Sequence, residues 1–316
     1  MNALTNLIFI ILLVCSFYRP ACSQGGHFKK IDALAFSEDG SLLLSGGHDG
    51  ILILWDENGE KVKIIKPERS AYNRDIGDLF TKVVIFDDRN SFVAGALSHA
   101  YLGNIQTGEI KLIPLDHSIG PRGIDISSDG QYILCCNVYS DPGLELRRAS
   151  GTQKGELVKT HNEKGASEVL SIKNIPDRFA CSGQLNGIKI MDLSGKVYAH
   201  FPTLTGMEVT AVSDDGKYLV KGNVLYNTES VKKIKTLPIK GWVADVDFTS
   251  EGKIVTCHDK EVNVWDVSGK KLQTINHDRQ VTQVAISPEG KLLVFGDEKG
   301  QLKMYTVSGK FIQDYK

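Results

Sequence analysis

From residue 26 onward, short runs of alternating apolar and polar residues succeed one another, broken every few positions by turn-forming residues. In IDALAFSEDGSLLLSGG, starting at Ile31, apolar side chains alternate with polar or small ones on both sides of a Ser-Glu-Asp-Gly turn. A period of two puts the apolar residues on one face of an extended strand, and Asp-Gly supplies the positive φ of a short hairpin. The same strand–turn–strand unit returns as RGIDISSDGQYILCC from Arg122, VTAVSDDGKYLVKG from Val209, ADVDFTSEGKIVTC from Ala244 and VTQVAISPEGKLLVFG from Val281. Two less regular copies, KVVIFDDRNSFVAG from Lys82 and VLSIKNIPDRFACSG from Val169, fill the gaps and bring the number to seven.

The turns fall at Gly40, Asn90, Gly130, Asp177, Gly216, Gly252 and Gly290, with spacings of 50, 40, 47, 39, 36 and 38 residues. A period near 40 with four strand-sized pieces per unit predicts an all-β fold, a seven-bladed β-propeller with four antiparallel strands per blade. It fills residues 24–316 as one domain. Third and fourth strands are read in ILILWDENGEKVKII from Ile51 and VNVWDVSGKKLQTI from Val262. Units two, three and five are the least regular: unit three carries the insertion VYSDPGL, and unit five is shortened around Gly222-Asn223.

Trp55-Asp56 and Trp265-Asp266, each followed by a glycine turn, carry a resemblance to the WD-repeat family. The resemblance covers essentially all of residues 24–316, with departures. Gly-His at the start of a repeat survives only in Gly26-His27, and the acid of the second-to-third-strand turn is kept in Asp49 and Asp259 but replaced by Asn186 and Lys299. In the family that acid joins a hydrogen-bond network that staples a blade, so the resemblance implies weaker stapling in most blades here. It also implies blade-internal hydrogen bonds for His27, His117, His161 and His277, which precede first strands. Every unit owns four strands, KFIQDYK supplying the last, so blades one and seven are expected to meet by face packing alone. That seam is expected to open first on heating.

Residues 7–17, LIFIILLVCSF, are uncharged and too short to span a bilayer, and they suit a signal-peptide core. Small residues before Gln24 place cleavage after residue 23, which predicts a secreted or exported chain with no transmembrane span once mature. The alternatives are a lipid anchor at Cys22, or a cytoplasmic chain if the leader does not function. Of the remaining cysteines, Cys135, Cys136, Cys181 and Cys257, three are read in equivalent inner-strand positions and all as core residues.

Lysine and arginine total 37 against 38 acids, without long runs of one sign, which argues against a nucleic-acid partner. No Gly-x-Ser-x-Gly elbow, His-Glu-x-x-His helix or phosphate loop is present, so no cofactor, metal or catalytic residue is assigned. Asp39, Asp129, Asp214 and Asp215 lack the ligand spacing of calcium loops and are read as turn formers. By the resemblance, the loops entering the first strands and the second-to-third-strand turns form a top face that grips protein or peptide partners. Aligning the units puts Asp32, Thr81, Arg122, Glu168, Glu208, Ala244 and Thr282 at one place on its rim, with Lys30, Trp242 and Gln280 two residues earlier and His48 beside its turn acid. The candidate partner-binding residues are therefore Lys30, Asp32, His48, Arg122, Glu168, Glu208, Trp242, Gln280 and Thr282. Trp242 is the expected anchor, because exposed large aromatics dominate interfaces. Arg69, Tyr72 and Arg74 are read as a flap beside this face. The expected role is a non-catalytic scaffold, a monomer docked within a larger complex. The alternative is a propeller hydrolase or lyase with a metal or acidic site in the central channel, built on Glu168 and Glu208.

Overall fold

The alternating segments become strands where the pattern places them. The computed structural model describes residues 26–67, 79–86, 90–96, 99–113, 115, 123–136, 143–151, 153–163, 165–183, 186–204 and 208–316. Blade one is β1 (Ile31–Phe36), β2 (Leu42–Gly47), β3 (Leu52–Asp56) and β4 (Lys61–Ile65). Blade two is β5 (Phe80–Phe86), β6 (Ser91–Ala96), β7 (Ala100–Asn104) and β8 (Ile110–Ile113). Blade three is β9 (Gly123–Ile126), β10 (Tyr132–Cys136), β11 (Gly143–Arg148) and β12 (Leu157–Asn162). Blade four is β13 (Ala166–Ser171), β14 (Arg178–Gly183), β15 (Gly187–Asp192) and β16 (Val197–Phe201). Blade five, the shortest, is β17 (Thr210–Val212), β18 (Tyr218–Lys221), β19 (Val224–Asn227) and β20 (Lys232–Thr236). Blade six is β21 (Asp245–Phe248), β22 (Ile254–His258), β23 (Glu261–Trp265) and β24 (Lys271–Asn276), and blade seven is β25 (Val281–Ile286), β26 (Leu292–Asp297), β27 (Leu302–Thr306) and β28 (Phe311–Asp314). Each blade is one antiparallel four-stranded sheet in chain order.

The turns obey the chemistry read from the sequence. Gly40, Gly130, Gly216, Gly252 and Gly290 have positive φ, and Asp177 fills the same place in blade four at φ 63°. In each of these Asp-Gly turns the serine before the acid closes the loop. Ser37, Ser127 and Ser213 each donate to the turn aspartate (Asp39, Asp129, Asp215) and accept the amide of the first residue of the next strand.

Buried apolar residues form seven clusters, one between each pair of neighbouring blades. The core is thus a ring of equivalent interfaces, each made by the two faces of adjacent sheets. The cluster between blades seven and one joins Ile31, Leu43, Ile53 and Trp55 to Val294, Leu302, Met304 and Tyr315. Blades one and seven therefore meet by face packing, and among the described residues no strand crosses the seam. Hydrogen bonds supplement it: Thr282 Oγ1 of β25 donates to the Ile31 carbonyl, and the Lys316 amide donates to the Gly59 carbonyl at 3.1 Å.

All four described cysteines are buried free thiols. Their positions differ from the sequence reading by one register step. Cys135 and Cys181 pair with Ile124 and Val169, while Cys136 and Cys257 pair one residue earlier in the first strand, with Gly123 and Asp245.

Candidate functional site

The first strands stand around a central channel. Their N-terminal ends open on the face that carries the second-to-third-strand turns, as the His48 amide bonded to the Lys30 carbonyl shows. A cavity of about 570 Å³ occupies this mouth. Seven of the nine candidate residues line it: Lys30, Asp32, Glu168, Glu208, Trp242, Gln280 and Thr282. His48 stands behind the wall, its Nε2 on Asp32 Oδ2, while Lys30 Nζ holds Asp32 Oδ1 at 2.6 Å. Arg122 lies outside the described residues, as do Arg69, Tyr72, Arg74 and His117. Trp242 is 61% exposed, whereas Trp55 and Trp265 are buried.

The rim alignment needs one correction. A register shift opens four first strands, so that Asp32, Thr81, Ser167 and Thr282 are the extra residues of equivalent bulges. Thr81, Ser167 and Thr282 each donate a hydroxyl hydrogen to the facing second strand, to the carbonyls of Gly95, Ser182 and Gly296. Glu168 sits one place deeper, in register with Lys82, Asp245 and Gln283. A one-residue bulge is invisible to alignment by turn spacing, and it moves a side chain from the rim into the channel. Thr282 is buried and its hydroxyl is occupied by carbonyls of two blades, so it serves the seam.

The deeper ring holds residues that the rim alignment overlooked: Lys82, Asp125, Asp245, Asp247 and Gln283. Their signal was a polar side chain at an inward position of a central strand, as in FTKVVIF, GIDI and DVDF. Three of the channel acids clasp the next blade. Asp125 Oδ2 accepts the Ser171 amide at 2.9 Å, Asp245 Oδ2 accepts the Val284 amide at 3.0 Å, and Glu168 accepts the hydroxyl and amide of Thr210. Burial pushes the carboxyls of Asp125, Glu168 and Asp247 up and that of Asp245 to about 7, against these hydrogen bonds and nearby lysines. Burial alone would lower the Lys82 pKa, yet the fields of Asp125, Glu168, Asp245 and Asp247 together raise it. Lys221, at the seam between blades four and five, is lowered, chiefly by burial, although Glu168 and Glu208 oppose this.

Blade one carries a continuous polar network through its core. His27 Nδ1 lies 2.9 Å from Asp49 Oδ2, His27 Nε2 lies 2.7 Å from Ser45 Oγ, and Trp55 Nε1 donates to the same Ser45 oxygen at 2.7 Å. With the ring proton on Nδ1, every partner is satisfied. The WD domain, G-beta repeat, model matches residues 19–56, 231–266 and 269–306. The curated protein named cross-pathway control WD-repeat protein 2, from Flammulina velutipes, is 27% identical over 123 residues. That alignment covers 39% of this chain and 35% of the relative, so the chain matches about a third of that protein's length. Three segments of this seven-bladed β-propeller thus match the WD repeat. Such propellers typically serve as protein-interaction scaffolds. Among the described residues no helix is long and apolar enough to cross a membrane, and no group of three or more histidines, cysteines and acids is placed to hold a metal ion.

Measured against the blade-one network, blade six keeps one part, and blades two, three, four and seven hold other residues in its place. Blade six keeps Trp265 Nε1 donating to Thr256 Oγ1 at 3.0 Å, but Asp259 is a hairpin residue at φ 49°. In blade seven Asp297, two residues before Lys299, takes the acid's part. It is fully buried, lies 3.0 Å from His277 Nε2 and accepts the Lys299 and Gln301 amides. Register puts Arg147 at the tryptophan place of blade three, where Glu145 Oε2 accepts its Nε–H at 2.8 Å and the Gly155 carbonyl accepts a second hydrogen. Blade four holds Lys189 against Glu163 at 2.8 Å. In blade two Gly103 has the tryptophan place, and the Phe92 ring fills it so closely that a Cβ there would lie 2.1 Å from Phe92 Cζ. His161 comes shortly before β13 but lies in β12, and its Nε2 is 3.3 Å from the Leu193 carbonyl of blade four, a contact between blades rather than within one.

Proposed function

We propose that this WD-repeat propeller is a non-catalytic scaffold that binds a protein partner on its top face, around the mouth of the central channel. The exposed Trp242 at the edge of the cavity carries this reading. A large ring left in water beside a concave, polar-lined mouth gives a partner both a pocket and an anchor. The two other tryptophans are spent inside blades. We further propose that the chain acts as a monomeric subunit of a larger complex, in an exported compartment reached through cleavage before Gln24.

Affinity capture from native cells tests both readings. Trp242→Ala is expected to lower partner recovery at least tenfold, about 1.4 kcal/mol or more, with an unchanged melting temperature. Full recovery with the variant would remove this face from the interface. The N-terminal peptide of the captured chain reports cleavage, and an intact Met1 would refute export through this leader.

A further inference from the structure

The cavity is not uniform in charge. On the blade-one side Lys30 and Asp32 neutralise each other at 2.6 Å, with His48 also on Asp32. Blade seven contributes the uncharged Gln280, Gln283 and Thr282. Glu168, Glu208 and Asp245, from blades four to six, stand on the side where Trp242 enters. Their counter-charges are already shared. Lys82 serves Asp125, Glu168, Asp245 and Asp247 together. Lys221 donates to the Glu208 backbone carbonyl and to Ser182 Oγ, both at 3.2 Å, and stands 3.9 Å from the Glu208 carboxylate.

We propose that this side of the mouth takes a cationic side chain, arginine or lysine, from an extended protein segment, its charge among Glu168, Glu208 and Asp245 and its stem against Trp242. The proposal rests on the top-face reading and names the partner's chemistry. Lys82 already reports the sign of the local field: an ammonium enclosed there holds its proton more firmly than in water, despite desolvation. An incoming cation meets the same field, which strengthens as Asp245 loses its proton above a pH of about 7, and the electron-rich face of an indole adds to the attraction. An incoming carboxylate meets the reverse.

The test uses the whole chain and two probes, N-acetyl-arginine methylamide and N-acetyl-glutamate methylamide, followed by tryptophan emission. Trp55 and Trp265 are 1% and 0% exposed, so the response belongs to Trp242, with Trp242→Phe as the blank. The arginine amide is expected to saturate with a Kd on the order of millimolar, as befits one side chain. Added salt weakens it, and Glu208→Gln or Glu168→Gln weakens it at least tenfold. Glu208 is half exposed, so its variant folds, and glutamine at 168 keeps an acceptor for Thr210. An equal response to the glutamate amide, no saturation with the arginine amide, or unchanged affinity in both glutamine variants would overturn the proposal. Capture of the native partner separates the two readings. If Trp242→Ala loses the partner while the double glutamine variant keeps it, the face stands and the cation falls. If both variants keep it, the face falls as well.

Discussion

At Asp245 enclosure in the channel raises the carboxyl pKa to about 7, well above the ordinary 3.8. Between those values the folded chain holds a proton that the unfolded chain has released. The contribution of this group to stability is therefore fullest below pH 3.8 and is lost as pH rises towards 7. Asparagine keeps an acceptor for the Val284 amide but carries no charge. Asp245→Asn is expected to be more stable than the parent at pH 8 by on the order of 1 kcal/mol, less than the shift alone would give because Lys82 loses one counter-charge. The gap should close towards pH 4 in urea titrations. A gap independent of pH would mean that Asp245 stays ionised throughout.

Among elements, the third-to-fourth-strand turn shows how one blade departs from the rest. Six blades place a positive-φ glycine there: Gly59, Gly108, Gly155, Gly195, Gly269 and Gly309. In blade five Val231 takes the position at φ 54°, half exposed. A β-branched residue is poorly tolerated in the left-handed region, because its Cβ crowds the backbone. Val231→Gly is expected to raise stability by about 1 kcal/mol, net of the flexibility glycine adds to the unfolded chain. Calorimetry measures it; a lower melting temperature would show that the valine's apolar contacts outweigh the backbone cost. Asp177 and Asp259, which take positive φ in other turns, were readable as turn residues because aspartate is a turn former. Val231 was not, because nothing in its local sequence marks a left-handed residue.

On the scale of the ring, six blade junctions are bridged by the chain itself and the seventh is held by non-covalent contact alone. There Tyr315 packs edge-on against Trp55 at 5.5 Å between ring centres, and β28 completes its blade from the C-terminal end. The Tyr315 hydroxyl is buried without a hydrogen-bond partner. Tyr315→Phe is thus expected to stabilise the ring by about 1 kcal/mol, and Tyr315→Ala to cost about 3 kcal/mol. Hydrogen exchange on the alanine variant should speed first in β1 and β25, and the same strands should open first on heating the parent chain. Earlier exchange in blades two or three would place the weakest junction elsewhere.

Period-two alternation and Asp-Gly turns act within about fifteen residues, so seven blades, four strands each and most turn positions could be read from the chain unaided. Alignment of the units, with the top face that the family resemblance implies, marked Trp242, Glu208 and Lys30 as rim residues, and the structure brings them to one mouth. Depth was decided by tertiary structure. A one-residue bulge carries Glu168 past the rim, and only closure of the ring brings Lys82 of blade two together with Asp125, Asp245 and Asp247 from blades three and six. Those residues are up to 165 positions apart in sequence. Their charges interact because the fold removes the intervening water, a condition that no local pattern can encode.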